Sequence, residues 1–267
     1  MNIELLSNAV HEFQRANSEL LACALVYGVG QPALYAELTQ WFGPEVADSR
    51  LALIFDARRE TGNDQYGPFL VRLSQGTEHP SRSLERLAEC CLGDFRSVSF
   101  LFSSLEFEPL ADALRERLDV VFEDHSEWHL KYFDTRSLDV LDRALSDEQR
   151  TPFFAMTREW WFLDRNLQLR RVEGSSGEVD RYRAPLSLSE QQAKAFIDAS
   201  LPDSVLYTLR LTDSDLLDEF DSATRYRICE RSLVDASENE KNSTLLLANR
   251  VRASLTRAMG DSSDDSA

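Results

Sequence analysis

From Leu20 onward, short apolar runs alternate with stretches whose apolar residues recur at helical spacing. A chain that switches period in this way builds layers of strands and helices, an α/β arrangement. Residues 20–27 (LLACALVY) and 50–55 (RLALIF) read as buried strands, with a helix from about Pro32 to Trp41 between them. Residues 69–74 read as a third strand. A helix then spans 83–92, with Leu84, Leu87, Cys91 and Leu92 on one face.

The clearest strand is 97–103, where Val98, Phe100 and Phe102 alternate with Ser99 and Ser103. It leads into 106–118, whose Phe107, Leu110, Ala111, Leu114 and Leu118 form the ladder of a packed helix. Residues 120–122 and 128–133 predict further strands, as a hairpin around 123–127. A helix over 136–145 turns Leu138, Leu141 and Leu145 inward. A second hairpin is expected from 156–163 and 167–172 across Asp164, Arg165 and Asn166, followed by a loop at 173–177.

After Pro185 the strand signal fades. Ser189-x-x-Gln192 is a capping box and Thr212-x-x-Asp215 resembles a helix start. The map is therefore a lead segment over 1–19, an α/β domain with a mixed sheet and flanking helices over 20–185, a C-terminal helical lobe over 186–259, and an acidic, disordered tail over 260–267.

Composition bounds the partners. With 46 acidic against 29 basic residues, the formal charge of the 267-residue chain is -17. Nucleic acid and anionic membranes would repel it. The N-terminus lacks a basic start followed by an apolar run, and no apolar stretch approaches the roughly 20 residues that span a bilayer. Cys23, Cys90, Cys91 and Cys229 form no CxxC pair and fit free thiols in a reducing compartment. The expectation is a soluble, cytoplasmic protein.

Candidate chemistry is sparse. Gly28-Val29-Gly30-Gln31-Pro32-Ala33 follows a strand, opens a helix and fits a relaxed dinucleotide-binding pattern, with Asp56 where a ribose-binding carboxylate would sit. Pro32, however, removes one N–H from the turn that would cradle phosphate. His125 and His129 lie about 13 Å apart along a continuous strand, too far for one metal ion, unless a turn folds them together. There is no GxSxG elbow and no HExxH. Neither a catalytic set nor a cofactor is expected. In Lys131-Tyr132-Phe133-Asp134-Thr135-Arg136, two aromatics end a strand and Asp134 is placed to cap the following helix, with Arg136 pairing Asp134 or Asp139.

That run resembles the hallmark of the bacterial type VI secretion effector chaperones, or adaptors, long catalogued as a domain of unknown function: basic, two aromatics, Asp-Pro-Arg, with Thr135 in the proline's place. The strand-Gly-helix unit around residues 25–38, the Phe55-Asp56 strand end and Pro68-Phe69-Leu70-Val71 before that run, and Ser146-Asp147-Glu148-Gln149, Phe153-Phe154, Trp160-Trp161 and Pro185-Leu186-Ser187-Leu188 after it, fall in the family's order, so the resemblance spans residues 20–198. It implies a non-enzymatic adaptor that holds a secreted effector and delivers it to the valine-glycine-repeat spike protein, VgrG. Lys131, Tyr132, Phe133, Asp134 and Arg136 would be structural or partner-binding. Trp160 and Trp161, facing opposite ways on one strand, are candidates for an exposed partner contact, the alternative being that both are buried. A nucleotide-dependent α/β enzyme using Gly28, Gly30 and Asp56 is the competing reading.

Overall fold

The structure, a computed structural model, describes residues 1–47, 49–55, 66–74, 78–175, 177 and 180–264. The chain divides into two compact units, Met1–Ala193 and Lys194–Ala267.

The first unit opens with helix α1 (Ile3–Ala16), whose Asn2 cap accepts from the Leu5 N–H. Its apolar stripe seats Leu6 and Val10 in the main core, so the lead segment belongs to the body of the unit. Strand β1 (Leu21–Tyr27) follows, then a 3₁₀ turn (Gly28–Gly30), α2 (Leu34–Phe42) and α3 (Pro44–Ala47). Strands β2 (Leu51–Leu53) and β3 (Pro68–Arg72) precede α4 (Arg82–Gly93), β4 (Val98–Ser103) and α5 (Phe107–Glu116). Next come β5 (Asp119–Phe122), β6 (Glu127–His129), α6 (Thr135–Ala144), α7 (Asp147–Phe154), β7 (Glu159–Leu163), β8 (Leu169–Glu173) and β9 (Leu186–Leu188).

Six of these strands form one sheet in the order β2-β3-β1-β4-β7-β8, antiparallel throughout. Central β1 is apolar at nearly every position because both of its faces are covered. One face carries Ala22, Ala24, Val26, Phe100, Phe102 and Trp161 against α1 and α4. On the other, Trp160 meets Tyr132 and Phe154 of the layer containing α7. With both faces of the sheet covered, the serines that alternate along β4 are buried too, Ser99 and Ser103 alike. Ser99 accepts from the Trp160 indole at 2.9 Å, and Ser103 donates to the Met156 carbonyl. A separate three-stranded sheet has the order β6-β5-β9, with β9 parallel to β5.

The capping box at Ser189 and Gln192 forms as its residues predict and starts α8 (Glu190–Thr212). The second unit continues with α9 (Ser214–Asp218), α10 (Ser222–Val234), α11 (Glu238–Lys241) and α12 (Thr244–Asp264). Its core joins Val205, Leu209, Leu217, Cys229, Leu247, Val251 and Leu255. Two expectations are corrected here. Thr212 ends α8, and Asp213 takes the cap position of α9. Helix α12 continues to Asp264, into the stretch expected to be a disordered tail. Among the described residues, no helix is long and apolar enough to cross a membrane.

Candidate functional site at the paired Asp-x-Arg clamps

The Lys131–Arg136 run does not end a strand. β6 stops at His129, the Leu130 N–H donates to the Leu118 carbonyl, and Tyr132 and Phe133 lie in a turn. The turn drives both rings inward. The Tyr132 hydroxyl donates to the Leu114 carbonyl at 2.6 Å, and burial pushes its pKa upward. Phe133 packs on Tyr27 at 5.1 Å and edge-on to Phe55 at 5.6 Å. Of the six hallmark side chains, only Lys131 is exposed, while Arg136 keeps 25% of its side-chain surface in solvent.

Asp134 caps α6. Its Oδ1 accepts from the Arg136 backbone N–H at 3.0 Å, while the Arg136 guanidinium closes on both carboxylate oxygens, Nη2 at 2.6 Å from Oδ2. Of the two acids open to Arg136, Asp134 takes it, and Asp139 pairs instead with Arg143. The same clamp recurs at Asp94-Phe95-Arg96, just after α4, with the Arg96 N–H on Asp94 Oδ1 at 3.2 Å and both guanidinium contacts at 2.7 Å. Sequence inspection missed this second copy, although the repeated Asp-x-Arg spacing was its signal.

Thr135 ties the clamps together. Its hydroxyl donates to the Phe95 carbonyl at 3.0 Å, and its N–H donates to the Arg96 carbonyl at 3.4 Å. Tyr27 lies in the field of both pairs: burial and then the Asp134 carboxylate raise its phenol pKa, against the opposing pull of Arg136 and Arg96. Each carboxylate is already engaged by its own arginine. Both guanidinium groups keep part of their side-chain surface in solvent, and guanidinium is the group that pairs with carboxylates and peptide carbonyls.

The glycines next to it have a steric explanation. A Cβ on Gly28 would sit 2.4 Å from the Gly67 carbonyl oxygen, and one on Gly30 would meet Asp94 Oδ2 and Ser97 Cβ at 3.1 Å. Gly28 is required by close backbone packing, and the space beside Gly30 holds a carboxylate that would repel phosphate. The dinucleotide expectation also needs β1 to lie in a parallel βαβ unit, whereas both neighbours of β1 are antiparallel. That geometry corrects the reading of Gly28 and Gly30 as a nucleotide turn. Asp56 lies outside the described residues.

Trp160 and Trp161 are 0% and 1% exposed, which corrects the expectation that one of them reaches a partner. They do face opposite ways, but both sides of the sheet are covered: Trp161 packs on Phe13 and Phe102, Trp160 on Tyr132 and Phe154. At the 123–127 turn His125 takes a left-handed conformation (φ 62°), and His129 Nδ1 lies 3.4 Å from Asp119. Among the described residues, no group of three or more His, Cys, Asp or Glu is placed to hold a metal ion. All four cysteines are buried and unpaired, and burial pushes Cys90 up to about 11 and Cys91 and Cys229 up to about 12.

A further feature gave no local signal in the sequence. Arg117 is fully buried on Asp180, 63 residues away, with two contacts of 2.6 and 2.9 Å. Its remaining donors reach the Ala113, Pro152 and Phe153 carbonyls, and Tyr182 stacks at 4.3 Å.

Fold and site together define a two-unit α/β protein whose distinctive feature is a pair of linked Asp-x-Arg clamps. Residues 24–152, which contain both clamps and the Gly28–Gly30 turn, match the model of a family described as a domain of unknown function (DUF4123). Neither the curated proteins nor the solved structures give a match.

Proposed function

We propose that this chain is a non-enzymatic chaperone and adaptor of a type VI secretion system, which binds a cognate effector in the cytoplasm and assists its loading onto the spike protein VgrG. The observation that carries this is the family match over residues 24–152, which encloses the hallmark run at Lys131–Arg136. The way that run folds supports it: buried rings and clamped carboxylates make a rigid joint at which Lys131 is exposed and Arg96 and Arg136 are partly exposed. Rigid presentation lowers the ordering cost of protein association.

The test is co-expression with the spike and effector proteins encoded nearest to it. Recovery of a ternary complex, with effector solubility dependent on this chain, is the expected result. Retention of neither protein would end the adaptor reading.

A further inference from the structure

The hairpin of β5 and β6 carries a feature that the clamps do not use. Among the described residues β6 pairs with β5 alone, so its other edge is open. The bonds Leu130 N–H to Leu118 O and Phe122 N–H to Ser126 O fix which peptide groups point where. Bonded pairs alternate along an antiparallel ladder. Trp128, opposite Val120, therefore bonds inward, and the peptide groups of Glu127 and His129 face the open edge.

On that edge stands Trp128, 64% exposed and yet held in place. Its indole N–H donates to Ser126 Oγ at 3.2 Å, and the Ser126 hydroxyl donates in turn to Asp124 Oδ1 at 2.6 Å. Phe122 meets the ring edge-on at 6.1 Å. Beside it is an open concavity of about 600 Å³ whose lining includes Asp119, Glu127, Trp128, His129 and Pro185. Asp119 is engaged with His129, whereas Glu127 has no ion pair among the described residues.

We propose that the open edge of β6 docks an extended segment of another protein whose side chains alternate between basic and apolar. Such a segment adds a strand through the Glu127 and His129 peptide groups. Alternation then places an apolar side chain on Trp128, at the non-bonded position where facing side chains come closest, and its basic neighbour against Glu127. The chain's charge of -17 favours the approach of a basic segment. Neither an effector nor a spike protein is needed to test this, so it stands or falls separately from the adaptor reading.

The probe is a ten-residue, end-capped peptide of alternating valine and lysine, titrated calorimetrically into the full chain. Saturable binding is expected, weakened about tenfold by Trp128→Ala and to a similar extent by Glu127→Lys. Both positions are exposed, and an unchanged melting temperature verifies each variant's fold. N-methylation of the lysine amides, which face β6, should abolish binding, while N-methylation of the valine amides should leave it intact. Absence of binding at millimolar peptide overturns the proposal. So does binding that ignores both substitutions, or that survives lysine N-methylation, since that is ionic adsorption to an acidic protein.

Discussion

At position 135 two donors, the backbone N–H and the hydroxyl, reach the peptide groups of Phe95 and Arg96. A proline there would preset φ for the first turn of α6 but supply neither donor. Threonine trades local backbone restraint for a cross-link between the two clamps. Thr135→Val should therefore lower stability by about 1 kcal/mol, or a few degrees in melting temperature; an unchanged melt would mean that the hydroxyl contributes nothing. Arg136→Ala leaves the nearly buried Asp134 carboxylate without its counter-ion and should cost about 2 kcal/mol. Arg96→Ala, at a pair with 43% of the arginine side chain exposed, should cost clearly less. If Arg136→Ala instead lost partner affinity before stability, Arg136 would be a contact residue.

Elements were legible wherever one periodicity dominated. The alternation at Val98, Phe100 and Phe102 identified β4, and the Phe107-to-Leu114 ladder identified α5. What alternation could not reveal is a second covering layer, which is why an outward-facing member of the Trp160–Trp161 pair was open in the sequence although both are buried, as is Ser99. The 128–133 run looked like one strand because Trp128, Leu130 and Tyr132 alternate with His129 and Lys131, but the Tyr132 hydroxyl and the Asp134 cap each need a turn there. Trp160→Ala should accordingly cost about 3–5 kcal/mol, the penalty of emptying an aromatic site in a closed core, measurable by denaturant unfolding. The antiparallel surroundings of β1 further predict that NAD or NADP at millimolar concentration leaves the melting temperature unmoved. A clear rise would restore the nucleotide reading.

For the whole molecule, the divide at Ala193–Lys194 separates a unit containing the family match from a helical unit beyond it. If the adaptor reading holds, exchanging residues 194–267 between two such proteins should exchange effector preference; unchanged preference would locate specificity in the first unit. The long-range pair was invisible in sequence because nothing near Arg117 hints at Asp180. Its energetics set an acid limit. Burial works to raise the Asp180 carboxyl, but Arg117 holds it below the ordinary aspartate range. A depressed native pKa contributes stability that is complete above about pH 4 and fades as pH falls through the native value. Asp180→Asn should be less stable near neutrality, and its stability should fall less steeply in acid.

The Arg117–Asp180 contact also has a consequence for biosynthesis. A nascent chain makes α5 early, but the carboxylate that neutralises the guanidinium is translated 63 residues later. Until then, closing the layer around Phe153 would leave the guanidinium with only the Ala113, Pro152 and Phe153 carbonyls and no counter-ion. The layer around Arg117 should therefore reach its full stability only once residue 180 has left the ribosome, and a nascent chain arrested upstream of it should be more protease-sensitive than one arrested beyond it.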